Sequence, residues 1–269
     1  MSVLNIFTAV FILISGFCVG SFLNVLIDRL SKNESITKER SHCDHCRRKL
    51  AWVDLIPVFS FIILNGKCRY CRSPISSYYP TVELTTGVLF VLLLSTLPDI
   101  NTKYQVLSIK HVEQVLFYLF LVSSLIVIFF TDLKYGIIPD KIVYSAIFVS
   151  AIYLILNNKY LMLSNFLAGT FAFLFFFLIF LVTHRKGMGF GDVKLIFLLG
   201  LILGYPKIVP AIYLAFLIGA IASIVLILFK KKKFIGGTVP FGPFLVLAAI
   251  IAFYWGNIIV EKILPFLIG

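Results

Sequence analysis

Three aspartates stand out because their neighbours place them at the ends of apolar segments. Asp132 and Asp140 lie in the stretch TDLKYGIIPD, and Asp192 follows the glycines of GMGFGD. A carboxylate at the edge of hydrocarbon is costly unless it is paired, hydrated or used in chemistry. Asp140 follows IIP and is interpreted as a cap at the start of a helix. Asp132 and Asp192 therefore remain as the candidates for chemistry.

Asp132 and Asp192 can work as a pair if the fold brings them to the same depth. Two carboxylates that lie close together cannot both ionise easily, so one keeps its proton while the other is charged. The ionised member can take a proton from an attacking water, and the protonated member can donate to a peptide carbonyl oxygen. The pattern predicts a catalytic dyad for peptide hydrolysis, although glycine and aspartate before a helix are also typical of an ordinary N-cap.

The glycines before Asp192 suggest a surface for a substrate. Gly187, Gly189 and Gly191 lack Cβ atoms, so a substrate backbone can lie against this loop. Glycine also permits positive φ angles that are closed to other residues. Gly189 and Gly191 are predicted to bind the substrate.

Four cysteines form the second group with chemical potential. Cys43 and Cys46 in CDHC and Cys68 and Cys71 in CRYC make two Cys-x-x-Cys pairs, separated by twenty-one residues. This spacing can set four thiolates at tetrahedral corners, so it predicts a structural zinc site with no open coordination position. Two disulfides or plain reduced thiols are the alternatives, and His42 or His45 could replace a cysteine, although both fit solvated loop residues.

The elements that must position these residues are membrane spans. The chain has 269 residues, 60% of them hydrophobic and only 13% charged, with a mean hydropathy of +1.03. A bilayer is spanned by about 20 apolar residues. The sixth apolar run is short and the fourth is marginal, so we predict an all-α polytopic bundle of seven or eight spans. The runs are 3–27, 82–97, 115–130, 142–156, 161–182, 193–203, 208–229 and 241–268.

The basic residues predict the orientation of the spans. With the N-terminus outside, nineteen of the twenty-four lysines and arginines fall in inner loops, as the positive-inside rule requires. The net charge of +12 then needs no nucleic-acid partner, and the lysines are expected to meet anionic lipid head groups. Both aspartates and the cysteine pairs lie on the cytosolic side in this topology, where disulfides are rare.

One polar insertion interrupts the spans. The chain is therefore divided into a first membrane helix (1–28), a cytosolic four-cysteine insertion (29–79) and a membrane protease bundle (80–269). Within the insertion, the apolar stretch from Asp54 to Lys67 is too short to cross a bilayer. It suits a hairpin packed on the cysteine site or a segment lying on the membrane surface.

Several ordered blocks resemble the bacterial type IV prepilin peptidases, a family of Gly-x-Gly-Asp aspartic membrane proteases with N-methyltransferase activity. The blocks extend over nearly the whole chain and include GSFLNVLIDRL, DLIPVFSF, GKCRYCRSPIS, YYPTVEL, TDLKYGIIPD, GFGDVKL and FGPFL. The resemblance implies that Asp132 and Asp192 are the catalytic pair. It also implies that the four cysteines bind metal and that Gly189 and Gly191 are the signature glycines.

The resemblance further implies a substrate and a second reaction. Family members cut the basic leader from type IV pilin-like precursors at the cytosolic membrane face, then methylate the new N-terminus with S-adenosylmethionine. No glycine-rich strand-to-helix fingerprint for a nucleotide-like cofactor is found in the sequence. The implied location is the bacterial inner membrane, as a multi-pass protein.

Two other classes of function fit parts of the pattern. An ion or proton transporter could use Asp132 and Asp192 as a relay, which predicts acids near the bilayer midplane. A noncatalytic assembly factor could dock a partner through the cysteine loop. Replacing either aspartate with asparagine separates these alternatives from a protease.

Overall fold

The computed structural model describes residues 6–32, 34–35, 41–96, 109–157, 159–184, 187–229 and 239–268. Within these ranges the regular elements are nine α-helices and a 3₁₀ turn at Trp52–Leu55, and no strand is present. The all-α prediction is confirmed. The helices are α1 (Ile6–Ser31), α2 (Phe59–Ile63), α3 (Tyr78–Thr96), α4 (Ile109–Tyr135), α5 (Asp140–Asn157), α6 (Lys159–Val182), α7 (Phe190–Leu203), α8 (Ile208–Leu228) and α9 (Gly242–Ile268).

Seven helices of the described chain are long and apolar enough to cross a bilayer, and α7 is not among them. Helix α7 has 14 residues, or about 21 Å at 1.5 Å per residue, against a hydrocarbon core of about 30 Å. Its apolar side chains are buried around most of the helix, which is typical of a helix inside a bundle. The prediction of seven or eight spans is confirmed, and the short sixth run is this interior helix.

The chain divides into two compact units, of which the first comprises Met1–Val127. In it α1 and α3 pack antiparallel at very close range. A Cβ built on Gly16 would lie 2.6 Å from the Cα of Gly87, so any larger side chain would force the helices apart. Nearer the insertion, the Asn24 Nδ2 donates to the carbonyl oxygen of Tyr79 at 3.1 Å. Glycine and a side-chain hydrogen bond therefore hold the two helices together.

The second unit, Ile128–Gly269, is built around α7. This helix packs against α5, α6, α8 and α9. Phenylalanine rings fill the space at the start of α9: the Phe241 ring lies 5.2 Å from that of Phe216 and 6.3 Å from that of Phe176, between centroids. This aromatic packing fixes the N-terminus of α9 within the unit. The division at residues 28 and 79 follows the polar insertion and stays a prediction.

Candidate active site and metal centre

Asp132 lies in the last turn of α4 and is buried, with 5% of its surface exposed. The helix ends at Tyr135, and the next residue, Gly136, has a φ of +66°, the left-handed conformation that terminates helices. The backbone N–H of Gly242 donates to Asp132 Oδ2 at 2.9 Å. Because Gly242 is the first residue of α9, the carboxylate also faces the positive end of a helix dipole. Both features stabilise negative charge on Asp132.

Asp192 lies in the first turn of α7 and is also buried, at 7% exposure. Its Oδ2 accepts a hydrogen bond from the backbone N–H of Gly189 at 3.3 Å. Its Oδ1 is buried and has no hydrogen-bond partner among the residues that the structure describes. Buried polar atoms in folded proteins are nearly always hydrogen-bonded. An orphaned carboxylate oxygen is therefore a position where a substrate or water can bind.

The two aspartates converge around Ile138, in the short connection between α4 and α5. A Cβ built on Gly191 would lie 3.0 Å from the Ile138 Cβ, and one built on Gly242 would lie 3.2 Å from its Cδ1. Gly191, which precedes Asp192 in the sequence, and Gly242, whose N–H bonds to Asp132, thus both lie against the Ile138 side chain. The carboxylates are close enough to interact electrostatically. The fold brings the two acids together across sixty residues of sequence.

Lys194 and Asp140 form an ion pair next to this cluster. Lys194 Nζ donates to Asp140 Oδ1, and the ammonium also lies 5.2 Å from the Phe190 ring centroid and 5.5 Å from that of Tyr144. Asp140 is the first residue of α5, so it lies at the start of a helix, as the sequence predicts. The pair links the beginnings of α5 and α7, on either side of Ile138. Sequence reasoning did not predict this pairing.

The glycine loop does not use the positive φ angles that glycine permits. Among the glycines of the described chain, positive φ occurs at Gly66, Gly136 and Gly204, and none of these belongs to this loop. Gly189 has an extended conformation, with φ −75° and ψ 147°. At Gly191 the absence of a side chain matters for space, because Ile138 packs directly against it. Gly189 is exposed, so its role as a substrate contact stays a prediction.

The four cysteines form one cluster in the first unit. Their sulfur atoms all lie within 4.8 Å of one another, and Cys43 Sγ is 3.8 Å from Cys71 Sγ. Four thiolates placed tetrahedrally at about 2.3 Å from a zinc ion have sulfurs about 3.8 Å apart. A disulfide needs about 2.05 Å. His42 and His45 are not part of the cluster. The residues present therefore fit a tetrahedral zinc ion.

Each cysteine pair is held by the same backbone pattern. In the first pair, the N–H of Cys43 donates to Arg48 and its carbonyl accepts from the N–H of Arg47. The second pair repeats both bonds twenty-five residues later, with Cys68, Ser73 and Arg72 in the corresponding places. Arg47 and Arg72 also share a positive φ, of 57° and 58°. Two equivalent knuckles thus present two sulfurs each.

Local hydrogen bonds favour ionisation of two of the four thiols, those of Cys43 and Cys71. The backbone N–H of Cys46 is the largest influence on Cys43 and lowers the pKa of its thiol to about 6, against the opposing effect of burial. A hydrogen bond from the Ser73 side chain lowers the pKa of Cys71. Four thiolates this close repel one another unless a cation lies between them. The cluster is thus suited to bind a metal ion.

Comparisons with known proteins agree with this arrangement. Residues 14–97 match the Bacterial Peptidase A24 N-terminal domain, and residues 119–224 match the Type IV leader peptidase family. The four cysteines fall in the first match, and Asp132 and Asp192 fall in the second. No solved structure matches the chain.

Curated relatives cover nearly the whole chain. A Bacillus subtilis (strain 168) protein named prepilin leader peptidase/N-methyltransferase is 31% identical over 95% of this chain and 98% of its own length. Proteins of the same name from Aeromonas hydrophila and Pseudomonas aeruginosa are 31% and 30% identical, over 89% and 93% of this chain and 88% and 91% of theirs. The chain therefore belongs to the type IV leader peptidase family.

Proposed function

We propose that this protein is a prepilin leader peptidase, an aspartic endopeptidase that removes the basic leader of type IV prepilin or pseudopilin precursors. The observation that carries the proposal is the convergence of two buried carboxylates, one of which has an oxygen without a hydrogen-bond partner in the described chain. Membership of the type IV leader peptidase family supports the substrate class. A pilin precursor presents a peptide bond between a basic leader and an apolar helix, at the membrane boundary.

The proposed mechanism divides the work between the two aspartates. The Gly242 N–H and the start of α9 favour the ionised form of Asp132. Asp132 then removes a proton from water as the water oxygen attacks the scissile carbonyl carbon. Asp192, with Oδ1 available, donates its proton to the carbonyl oxygen. Collapse of the tetrahedral intermediate breaks the C–N bond, and a proton returns to the leaving amine.

The four-cysteine cluster has a structural role in this proposal. Cys43, Cys46, Cys68 and Cys71 would hold zinc and occupy all four of its positions. Bound zinc supplies a cross-link between the two knuckles, and it leaves no site for water activation. The catalytic groups of the protease are therefore the aspartates alone.

Methylation of the new N-terminus by S-adenosylmethionine is the second proposed activity. It rests on the family and on the name carried by the relatives. The described residues hold no strand, so the glycine-rich strand-to-helix turn that binds nucleotide-like cofactors is not found in them. We assign no residue to this cofactor and derive no step through it.

The membrane topology follows the distribution of lysine and arginine. Seven helices of the part that the structure describes are able to span a membrane, and we propose the bacterial inner membrane with the N-terminus outside. The cysteine insertion and both aspartates are then cytosolic. Asp132 lies in the last turn of α4 and Asp192 in the first turn of α7, whereas a transporter relay would need acids near the midplane of the bilayer. The helix-end positions favour the protease.

The experiment compares three carboxylate-to-amide variants of the purified protein reconstituted with a prepilin. We expect Asp132→Asn and Asp192→Asn each to lower the cleavage rate by at least about 100-fold, the usual contribution of a positioned acid or base. Glu261→Gln, at an exposed position on α9, should cleave like the wild type. Mass spectrometry of the product then reports leader loss and any added methyl group. Wild-type cleavage by either aspartate variant would refute the dyad.

A further inference from the structure

Outside the spanning helices, the described chain has an exposed apolar segment at residues Trp52–Ile63, here called the apolar segment. It consists of the 3₁₀ turn and α2, joined by Ile56, Pro57 and Val58. Seven of its twelve side chains are exposed, and the largest exposures are 75% for Trp52 and 74% for Ile63. A contiguous exposed apolar surface of this kind marks a site of interaction with another protein or a membrane.

A hydrogen bond fixes the position of this segment along α3. The backbone N–H of Val58 donates to Glu83 Oε2 at 2.7 Å, and Glu83 is itself buried. Glu83 lies five residues after Tyr78, the first residue of α3, which is about 7.5 Å along the helix axis. Helix α3 is one of the candidate membrane spans. The segment is therefore tied to a spanning helix, beyond its first turn, and does not project away from it.

The residues that flank the apolar segment in the sequence carry an excess of positive charge. Residues 41–77 contain six lysines and arginines and only two acidic residues, and all six basic side chains are exposed. One of the acids, Asp54, is already paired with Arg69 at 2.5 Å. The basic side chains are Arg47, Arg48, Lys49, Lys67, Arg69 and Arg72. Apolar side chains with a basic surround are the composition of a segment that binds an anionic membrane surface.

We propose that the apolar segment is a membrane-surface anchor, which inserts Trp52, Phe59, Ile62 and Ile63 among the lipid acyl chains beneath anionic head groups. The bilayer is the occupant that the structure favours, because the segment is bonded to a spanning helix and its surroundings carry excess positive charge. Tryptophan is also enriched at the membrane interface, where its ring is apolar and its N–H stays near water. The anchor would hold the cysteine cluster at the membrane surface.

Tryptophan fluorescence tests this directly, because the chain has only two tryptophans. The Trp255→Phe variant of the full-length protein keeps Trp52 alone, and it is reconstituted in vesicles of phosphatidylcholine and phosphatidylglycerol. One set of vesicles carries lipids brominated near the head group, and another carries lipids brominated deep in the acyl chains. We expect Trp52 to be quenched more strongly by the shallow bromines. Trp52→Phe, which keeps the exposed Trp255 on α9, is the matched control for lipid contact.

Charge is tested in the same preparation. In vesicles of phosphatidylcholine alone, or in a Lys49→Glu, Lys67→Glu variant, we expect quenching of Trp52 by aqueous acrylamide to rise about twofold or more, because head-group attraction is lost. Trp52 that is quenched by acrylamide and by neither brominated lipid would overturn the anchor. Protection from both kinds of quencher would mean that a protein covers the segment, and would also overturn it. Stronger quenching by the deep bromines would refute the interfacial position.

Discussion

Replacing Gly242 with alanine tests the contact on which the charge of Asp132 depends. A Cβ at residue 242 would lie 2.6 Å from Asp132 Oδ2 and 3.2 Å from its Cγ. Ordinary van der Waals contact begins at 3.4 Å, so the carboxylate oxygen must withdraw by most of an ångström. The same Cβ would also lie 3.2 Å from Ile138 Cδ1, so the Ile138 side chain must adjust as well.

The expected loss follows from the hydrogen bond that this movement breaks. The Gly242 N–H is 2.9 Å from Oδ2, and withdrawal takes the pair out of bonding range. A hydrogen bond to a charged group contributes about 1.5–3 kcal/mol, which corresponds to about a 10- to 150-fold lower cleavage rate. Misplacement of a catalytic group by about 1 Å has a comparable effect, about 100-fold.

The assay measures prepilin cleavage by reconstituted Gly242→Ala under single-turnover conditions. Gly256→Ala is the matched control, because it lies on the same helix and its Cβ would meet the flexible side chain of Lys207, at 3.0 Å from Cγ. Both variants should keep the thermal midpoint and zinc content of the wild type. Cleavage by Gly242→Ala at the wild-type rate would refute the assignment of Gly242 as the positioning group for Asp132.

Three further outcomes are expected. Cys68→Ser removes the buried ligand of the cluster, so zinc measured by atomic absorption should fall from one ion per chain to none. Trypsin should then cleave the two knuckles faster. Retained zinc would contradict the four-cysteine site. Asp140→Lys and Lys194→Asp should each slow prepilin cleavage, and the double variant should recover much of the rate if their ion pair positions α5 against α7. Gly189→Ala should raise KM for prepilin more than it lowers kcat, because the new Cβ meets nothing nearer than Asp192 Oδ2 at 3.4 Å. An unchanged KM would show that Gly189 is not part of the substrate site.

Much of the fold follows from local composition. A run of about 20 apolar residues can satisfy its backbone in a bilayer only as a helix, so the spans were predictable one by one. The same reasoning identified 193–203 as unusual, because it is too short to span. Its place inside the second unit was not predictable, since burial of α7 depends on the helices that surround it.

The omissions in the predicted site share one cause. The glycines of the loop were interpreted as a substrate surface, but a glycine is equally required where another side chain packs against its Cα, as Ile138 does at Gly191. Gly242 belonged to a recognised block, FGPFL, yet nothing in those letters indicates that its N–H donates to Asp132. The Lys194–Asp140 pair joins residues 54 apart. Contacts between segments that are distant in the sequence produce no periodicity or residue spacing from which they could be predicted.

The sequence by itself determined the chemical groups and their approximate depth: two acids at the ends of apolar runs, and four cysteines at zinc-binding spacing. Hydropathy and ligand spacing are local properties of the sequence, so they can be recognised without knowledge of how the helices pack. Only the tertiary structure decided which atoms meet. It placed Gly242 and the start of α9 on Asp132, left Asp192 Oδ1 without a partner in the described chain, and bonded Val58 to Glu83. These contacts depend on helix packing at ångström precision, because hydrogen bonds and steric overlap change steeply over that distance.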